Sequence, residues 1–531
     1  MTPGRKLLTG AAAALAVAVM LFPLGATGAA AKPQPGLTAA QRADLRGIAR
    51  DTWRFYADDV DPSTNLPLDN LTFAAGSSTP TGYGRYTSAS NIGVYLWSVV
   101  AAHDLGLISR AQARKRIDAT LTEVQQLQRY RGFLYQWYDT STGGVIRNPG
   151  DIDCATETTP VFDNCFFLSN VDNGWYASGL VVVREALPEL RQLVDSLLAP
   201  MDFGIFYDDR AETHCNTNPV VPGNQPTGQM YGGYYVGHPP DEGDNWTRYY
   251  HNGALYSDPR ISAYIGMGLR QMPGNVWWRS WRELPPPAPF ADCQATDPDF
   301  SWQGQWPMPG SWQTYSDPQS GQQFPVWEGH YVDPGSGLSY IPTWAGGMFE
   351  ALMANEVVPE TTWGTHSFGL ADTRTVQVQI DYATEQLHYP VWGLSPSSTA
   401  DDSGGYGGFG AEGLVFPPGQ GLSQCRGCAT EDVITPHASF LALDVAPQKA
   451  YANIAALRSG YPGLYGADGF FDAVNPVTGA VGHRYLVLDQ SMIMAALDNA
   501  LEGRALQGHF AADPVSWAAH TYLSLERMSI G

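Results

Sequence analysis

A carboxyl group held among apolar residues is a candidate for acid–base chemistry, because desolvation raises its pKa and keeps a proton available near neutral pH. Glu350 is such a group. It sits in Thr343-Trp-Ala-Gly-Gly-Met-Phe-Glu350-Ala-Leu-Met353, where every residue from Trp344 to Phe349 is apolar or small. Met348, Phe349, Leu352 and Met353 crowd several sides of a helix there, which favours a desolvated acid over a solvated helix face. Asp172 is the second candidate, in Leu168-Ser-Asn-Val-Asp172-Asn-Gly-Trp-Tyr176, ahead of the apolar run Leu180 to Val183. Asp, Asn and Ser also cap helices, so this spacing leaves a catalytic and a capping role open. Two carboxyl groups flanking a glycosidic bond are the standard requirement for its cleavage: one protonates the leaving oxygen, the other activates water or attacks. Asp401, Asp402, Glu412, Glu431, Asp432, His437, Asp472, Asp489 and Gln490 add polar groups in the C-terminal half. They read as sugar-hydroxyl ligands, turn formers or caps, and the base could be any one of them.

Other chemistries lack their signatures. The sequence contains no H-E-x-x-H, no G-x-x-x-x-G-K-[ST] and no G-x-S-x-G. The glycine-rich stretch Gly405 to Gly410 lacks the strand–turn–helix context of a nucleotide site. No compact His/Cys/Asp cluster has metal-ligand spacing, so neither a metal nor a cofactor is expected.

Helices must position these groups. Leu45, Ile48, Ala49, Thr52 and Phe55 recur with helical period, as do Ile92, Tyr95, Leu96 and Val99. Ser109 with Gln112 forms a capping-box pattern ahead of the stripe Ile117, Leu121, Val124 and Leu127. Further helical stretches fall near 170–187, 188–198, 260–270, 345–354, 371–386, 436–444, 446–458, 488–501 and 513–527. About twelve helices separated by Gly/Pro/aromatic loops, without alternating strands, predict an all-helical barrel or solenoid. The absence of a visible 30–45-residue repeat disfavours the solenoid. Residues 200–340 break the helical rhythm, carry Pro285 to Pro287 and many tryptophans, and read as a loop-rich region over one mouth of the barrel, or as a separate small domain.

The first 31 residues read as a secretory signal: Arg5 and Lys6, an apolar run from Leu7 to Phe22, then small residues ending at Ala31. That apolar run is short of the roughly 20 residues needed to span a bilayer. The formal net charge of the 531-residue chain is −22, from 30 basic and 52 acidic residues, and removing Arg5 and Lys6 takes it to −24. Such a surface repels nucleic acid and anionic membranes but not a neutral glycan. Six cysteines in an exported chain predict disulfides, most simply 154–165, 215–293 and 425–428.

Taken in order, Trp344-Ala-Gly-Gly-Met-Phe-Glu350-Ala-Leu-Met353, Trp392-Gly-Leu-Ser-Pro396, Ile434-Thr-Pro-His-Ala438, Gly469-Phe-Phe-Asp472-Ala and Leu488-Asp-Gln490 resemble the glucoamylase-like proteins. These include the endo-β-1,2-glucanases of glycoside hydrolase family 144 and the glucan-cyclising region of cyclic β-1,2-glucan synthases. The resemblance covers about 90–200 and 250–510 and implies an (α/α)6 barrel. It makes Glu350 the general acid. It places Asp172 where the hydrolases usually have Glu, and Ser169 where they tend to have Asp. Inversion is implied by the hydrolases and retention by the cyclising relatives.

The expectation is therefore a signal peptide over 1–31 and an (α/α)6-barrel domain over 32–531, with 200–340 as an aromatic-rich insertion over the cleft. The expected activity is that of a secreted, monomeric glycoside hydrolase acting on a neutral glycan, β-1,2-glucan first. Glu350 would be the acid and Asp172 the base or a positioning carboxylate. Trp175, Trp344, Trp392 and Tyr406 would be sugar platforms, and His437, Asp472 and Gln490 sugar-hydroxyl ligands. A transglycosylase or a hydrolase of another glycan, such as a cell-wall furanoside polymer, is the second reading. A non-catalytic glycan-binding protein is the third.

Overall fold

Helices that lack a polar face lie at the centre of the molecule, as their composition requires. The computed structural model describes residues 36–150, 154, 164–210, 227–237, 245–247, 251–282, 309–344, 346–411, 415–416, 422–423 and 432–531. The α-helices among these are α1 (Ala39–Asp58), α2 (Ala89–Asp104), α3 (Arg110–Gln126), α4 (Asn170–Ala186), α5 (Arg191–Leu198), α6 (Arg260–Gly268), α7 (Asn275–Arg279), α8 (Met348–Leu352), α9 (Glu360–Trp363), α10 (Phe368–Asp381), α11 (Pro436–Leu441), α12 (Pro447–Gly460), α13 (Val487–Leu501), α14 (Ala505–Ala512) and α15 (Trp517–Leu525). Every residue of α2 from Ala89 to Ala102 is buried, and so is all of α13 except Leu488. By contrast, α1 buries one stripe, Leu45, Ile48, Ala49, Thr52, Phe55 and Tyr56, and α3 buries Ala113, Ile117, Thr120, Leu121 and Val124. Capping boxes start both of these amphipathic helices, at Thr38 with Gln41 and at Ser109 with Gln112.

Neighbouring helices follow a circuit. α2 packs on α4 and α4 on α6, while α8 packs on α11, α11 on α13 and α13 back on α2. Arg260 on α6 joins the two runs through hydrogen bonds to the main chain of α8. The amphipathic helices lie against this circuit: α1 on α13, α3 on α2, α5 on α4, α10 on α8, α12 on α11 and α15 on α6. The fold is helix-rich, and its strands are short, most of them in two-stranded pairs. Among the described residues no helix is long and apolar enough to cross a membrane.

Two glycines set the closest helix crossing. A Cβ on Gly93 would lie 2.4 Å from the Trp175 carbonyl oxygen, and one on Gly179 would lie 2.4 Å from that of Gly93. α2 and α4 therefore meet backbone to backbone, which brings Ser90 within reach of Asp172.

The 200–340 segment divides. Residues 251–254, residues 257–259 and Trp281 line a cavity beside Glu350. The antiparallel hairpin of Gly310–Ser316 and Gln323–Gly329 instead packs near the C-terminus, where Tyr315 stacks on Trp278 and its hydroxyl accepts from the Arg527 N–H. One disulfide, Cys154–Cys165, is the first of the three expected pairs. Cys215, Cys293, Cys425 and Cys428 lie outside the described residues, as do the expected leader, Glu412 and Glu431.

Candidate active site

Glu350 sits in the short helix α8, whose start is fixed by the Phe349 N–H donating to Ser395 Oγ at 2.9 Å. It is 8% exposed and lines a cavity of about 320 Å³ with Val171, Ser257, Asp258 and Trp281. Ser257 Oγ donates to Glu350 Oε2 at 3.0 Å. Asp258 hydrogen-bonds the Glu350 carboxyl directly, and the two form a buried acid pair. Burial first, and then the charge of Asp258, push the Glu350 pKa well above the usual carboxylate range. Burial also raises Asp258, but the hydrogen bonds from Glu350 and Trp175 and the charge of Arg260 oppose it. The two carboxyls are most simply a buried pair that shares one proton.

Asp172 is not the helix cap. Ser169 caps α4 by accepting the Asp172 N–H, which places Asp172 in the first turn. Ser90 Oγ donates to Asp172 Oδ1 at 2.6 Å, and burial raises its pKa. Its charge reaches Asp258. Val171 borders the Glu350 cavity, while Asp172 borders a second one of about 400 Å³ with Asp69, Tyr86, Asn91, Trp137, Tyr406 and Arg484. Consecutive residues at the start of α4, Val171 and Asp172, thus line one cavity each.

A second acid pair stands on the C-terminal side. His437, Asp472 and Asp489 offer ligand atoms that all lie within 4.8 Å of one another, and all three are buried. Ser398 N–H donates to Asp472 Oδ2 at 2.6 Å, and Thr435 Oγ1 lies 2.7 Å from His437 Nδ1. Burial, then Asp489, raise Asp472 well above its usual range, and burial pushes Asp489 up to about 7. Burial lowers His437 to about 4. The group is most simply two carboxyls sharing a proton beside a neutral imidazole. Wide sequence separation hid this compact cluster from the motif search.

Tyr406 links the two acid pairs. Its ring is 54% exposed and lines the second cavity. Its hydroxyl is raised by burial of that end and then by the charges of Asp489, Asp472, Glu350 and Asp69. The charges of Glu350, Asp472 and Asp489 thus all reach the Tyr406 hydroxyl.

The aromatic expectations divide. Tyr406 faces the cleft, but Trp175 does not act as a platform: it is 2% exposed, packs edge-on against Trp97 and turns its indole N–H toward Asp258 Oδ2 at 3.5 Å. Trp392 is buried too, its main chain bracketed by Asn453. The side chain of Trp344 lies outside the described residues. Gln490 is buried and donates to the Phe470 carbonyl at 3.1 Å. Sequence reasoning missed Asp258, Trp137 and Tyr86. Asp258 stands directly before Pro259 and α6, where an Asp reads as a turn or cap. Trp137 and Tyr86 meet edge to face at 5.7 Å across two short strands.

Residues 330–512 match the family described as "putative glucoamylase". Residues 47–212 match a second family, described as a protein of unknown function (DUF3131). A cyclic β-(1,2)-glucan synthase of Rhizobium meliloti is 37% identical over 99 residues, which is 18% of this chain and 3% of the synthase. Among solved structures, a glucoamylase-like protein of Bacteroides caccae is 16% identical with TM-score 0.61, covering 91% of this chain and 98% of its own. An endo-β-1,2-glucanase of Chitinophaga pinensis, in complex with sophorotriose and glucose, is 15% identical with TM-score 0.58 over 92% and 98% of the two chains. An endo-β-1,2-glucanase of Talaromyces funiculosus, in complex with sophorose, is 12% identical with TM-score 0.56 over 88% and 85%. At these identities the likeness to the solved structures is one of fold.

The buried acids also set a pH dependence of stability. A carboxyl whose pKa is raised in the folded state keeps a proton that the unfolded chain has released. Its contribution is complete below about pH 4 and is lost as pH rises through the folded value. For Asp489, raised from 3.8 to about 7, the limit is about 4 kcal/mol. Asp472, Glu350, Asp258 and Asp172 act with the same sign. His437, lowered to about 4, acts oppositely, losing stability as pH falls from 6.5 to 4. The five raised carboxyls outweigh the one histidine, so thermal unfolding should show the highest Tm near pH 4–5 and a clear fall by pH 8. A Tm that rises steadily from pH 5 to pH 8 would mean that these carboxyls are ionised in the folded protein.

Proposed function

We propose that this protein is an exported glycoside hydrolase of β-1,2-glucan, built on an (α/α)6 barrel. The six-helix circuit of α2, α4, α6, α8, α11 and α13 would be the inner ring and the amphipathic helices the outer one. The observation that carries the reading is the proton-holding Glu350–Asp258 pair at the wall of a cavity whose lining residue Val171 precedes Asp172 on α4. A glycosidic oxygen placed there would take from Glu350 the proton that the two carboxyls share at rest, and the Glu350 carboxylate left behind would keep the hydrogen bond from Ser257 Oγ. The Asp472–Asp489 pair, acting on the same Tyr406 hydroxyl, would supply the opposing carboxylate, with Asp489 the member that ionises near neutral pH. The substrate class rests on the names of the fold neighbours, which bind sophorose and sophorotriose.

Sugar platforms on this reading are Trp137, Tyr86 and Tyr406, whose rings border the second cavity. Flat rings cover the C–H faces of a pyranose, and losing one costs on the order of 1–2 kcal/mol of binding. Trp137→Ala should raise KM for a β-1,2-glucan roughly tenfold and change kcat by less than about threefold. Steady-state kinetics on sized glucans measure both. An unchanged KM in Trp137→Ala and in Tyr406→Ala alike would move the glucan out of this cavity.

A further inference from the structure

Asp258 and Glu350 come from distant parts of the chain, yet their carboxyls meet in a hydrogen bond. One side chain touches both segments. Arg260 opens α6, two residues after Asp258, and Pro259 between them has a fixed φ of −58°. The Arg260 guanidinium reaches across to α8. Its Nη1 donates to the Glu350 carbonyl at 3.3 Å and its Nη2 to the Ala351 carbonyl at 2.5 Å. The other edge of the fork is held by Glu360 of α9: Nε to Oε1 at 2.7 Å and Nη2 to Oε2 at 2.8 Å. Tyr264 hydroxyl donates to the same Glu360 oxygen at 2.6 Å. The guanidinium also lies over the rings of Tyr256 and Phe368, at 5.3 and 5.2 Å.

Arg260 and Glu360 side chains are both fully buried. A buried ion pair is rarely worth more than apolar residues of the same volume, because desolvation offsets the attraction. What this pair supplies is geometry: four donor contacts from one planar group, in directions that a lysine ammonium does not reproduce.

We propose that Arg260, oriented by Glu360, is a positioning residue that fixes the distance between the Asp258 and Glu350 carboxyls. The proposal rests on the reading of Glu350 as the acid. Arg260 touches no substrate; it acts through the main chain of Glu350 and through the two-residue link to Asp258. The groups that face the acid pair are Asp258 and Ser257 ahead of α6, Arg260 on α6, Asp172 and Trp175 on α4, and Tyr406.

Arg260→Lys keeps the charge and removes the fork, so it isolates position from electrostatics. It should lower kcat about 10–100-fold with KM within about threefold. The pH at which activity is lost on the alkaline side should fall by about one unit, because Glu350 no longer shares its proton closely with Asp258. Glu360→Gln should move both readings in the same direction by less. A merely structural role would reduce the amount of folded enzyme and leave the pH profile of the remainder in place. Carbon-13 NMR of glutamate-labelled protein, with the Glu350 carboxyl assigned from its loss in Glu350→Gln, reads the same shift without turnover. If the wild type cleaves no glycan, the functional reading fails while this titration still decides the positioning. Should Arg260→Lys not fold, Tyr264→Phe removes one hydrogen bond to Glu360 and should move the Glu350 titration the same way. An unmoved Glu350 titration in every folded variant, with kcat per folded molecule unchanged, overturns the proposal.

Discussion

Glu350→Gln should lower kcat on β-1,2-glucan by about 10²–10⁴-fold, the usual contribution of a general acid, and change KM by less than about threefold. The amide keeps the shape of the side chain and still accepts from Ser257 Oγ. It has no proton to give to a leaving oxygen. The neighbouring change Asp258→Asn should also impair turnover, by removing the carboxylate that accepts from Glu350 and holds it. It leaves the acid itself in place, so its loss should be smaller. Stopped assays on sized glucans, combined with direct binding of the same glucans to each variant, separate chemistry from affinity. Equal turnover by wild type and Glu350→Gln would remove Glu350 from the chemistry and leave Asp258 as the acid of the pair.

The second large effect has two signs. Asp489→Asn should cost about 10²–10⁴-fold in kcat if Asp489 is the opposing carboxylate. The same change removes a buried carboxyl that must ionise as pH rises. Stability at pH 8 should therefore increase, by as much as a few kcal/mol, while stability at pH 4 and below changes little. Loss of activity joined to a gain in alkaline stability is the signature of a strained functional group. A buried acid with a purely structural role would lose stability on substitution and keep its activity. Asp472→Asn should share the stability gain and lose less activity, since Asp472 is anchored by the Ser398 N–H.

The helices were legible where they are amphipathic. The stripes of α1 and α3 read directly, and the Ser109–Gln112 capping box fixed the start of α3. α14 was missed because Gly503 and Arg504 break the preceding helix, with Arg504 in a left-handed conformation at φ 67°. Glu350 was legible as a candidate because it stands among apolar neighbours, and Asp172 because it precedes the apolar run Leu180 to Val183. Asp258 was not, since an Asp before Pro at a helix start is an ordinary cap in sequence, and only the fold brings it to Glu350. The same holds for His437, Asp472 and Asp489, which come from three separate elements. Trp175 and Trp392 were misread because a tryptophan beside glycine has no sequence signal for which side of the backbone its ring takes. Beside the crossing of α2 and α4 at Gly93, the Trp175 ring packs edge-on against Trp97 in the core.

The central claim is that this cleft hydrolyses β-1,2-glucan by carboxyl catalysis, and product sizing tests it most directly. The purified protein would be incubated with β-1,2-, β-1,3-, β-1,4- and α-linked glucans and with an arabinofuranose polymer. Products would be sized over time beside a Glu350→Gln control. The account predicts shortening of the β-1,2-glucan alone, absent or slowed by at least about 10²-fold in Glu350→Gln. No shortening of any glycan by the wild type, or equal shortening by both proteins, would contradict it.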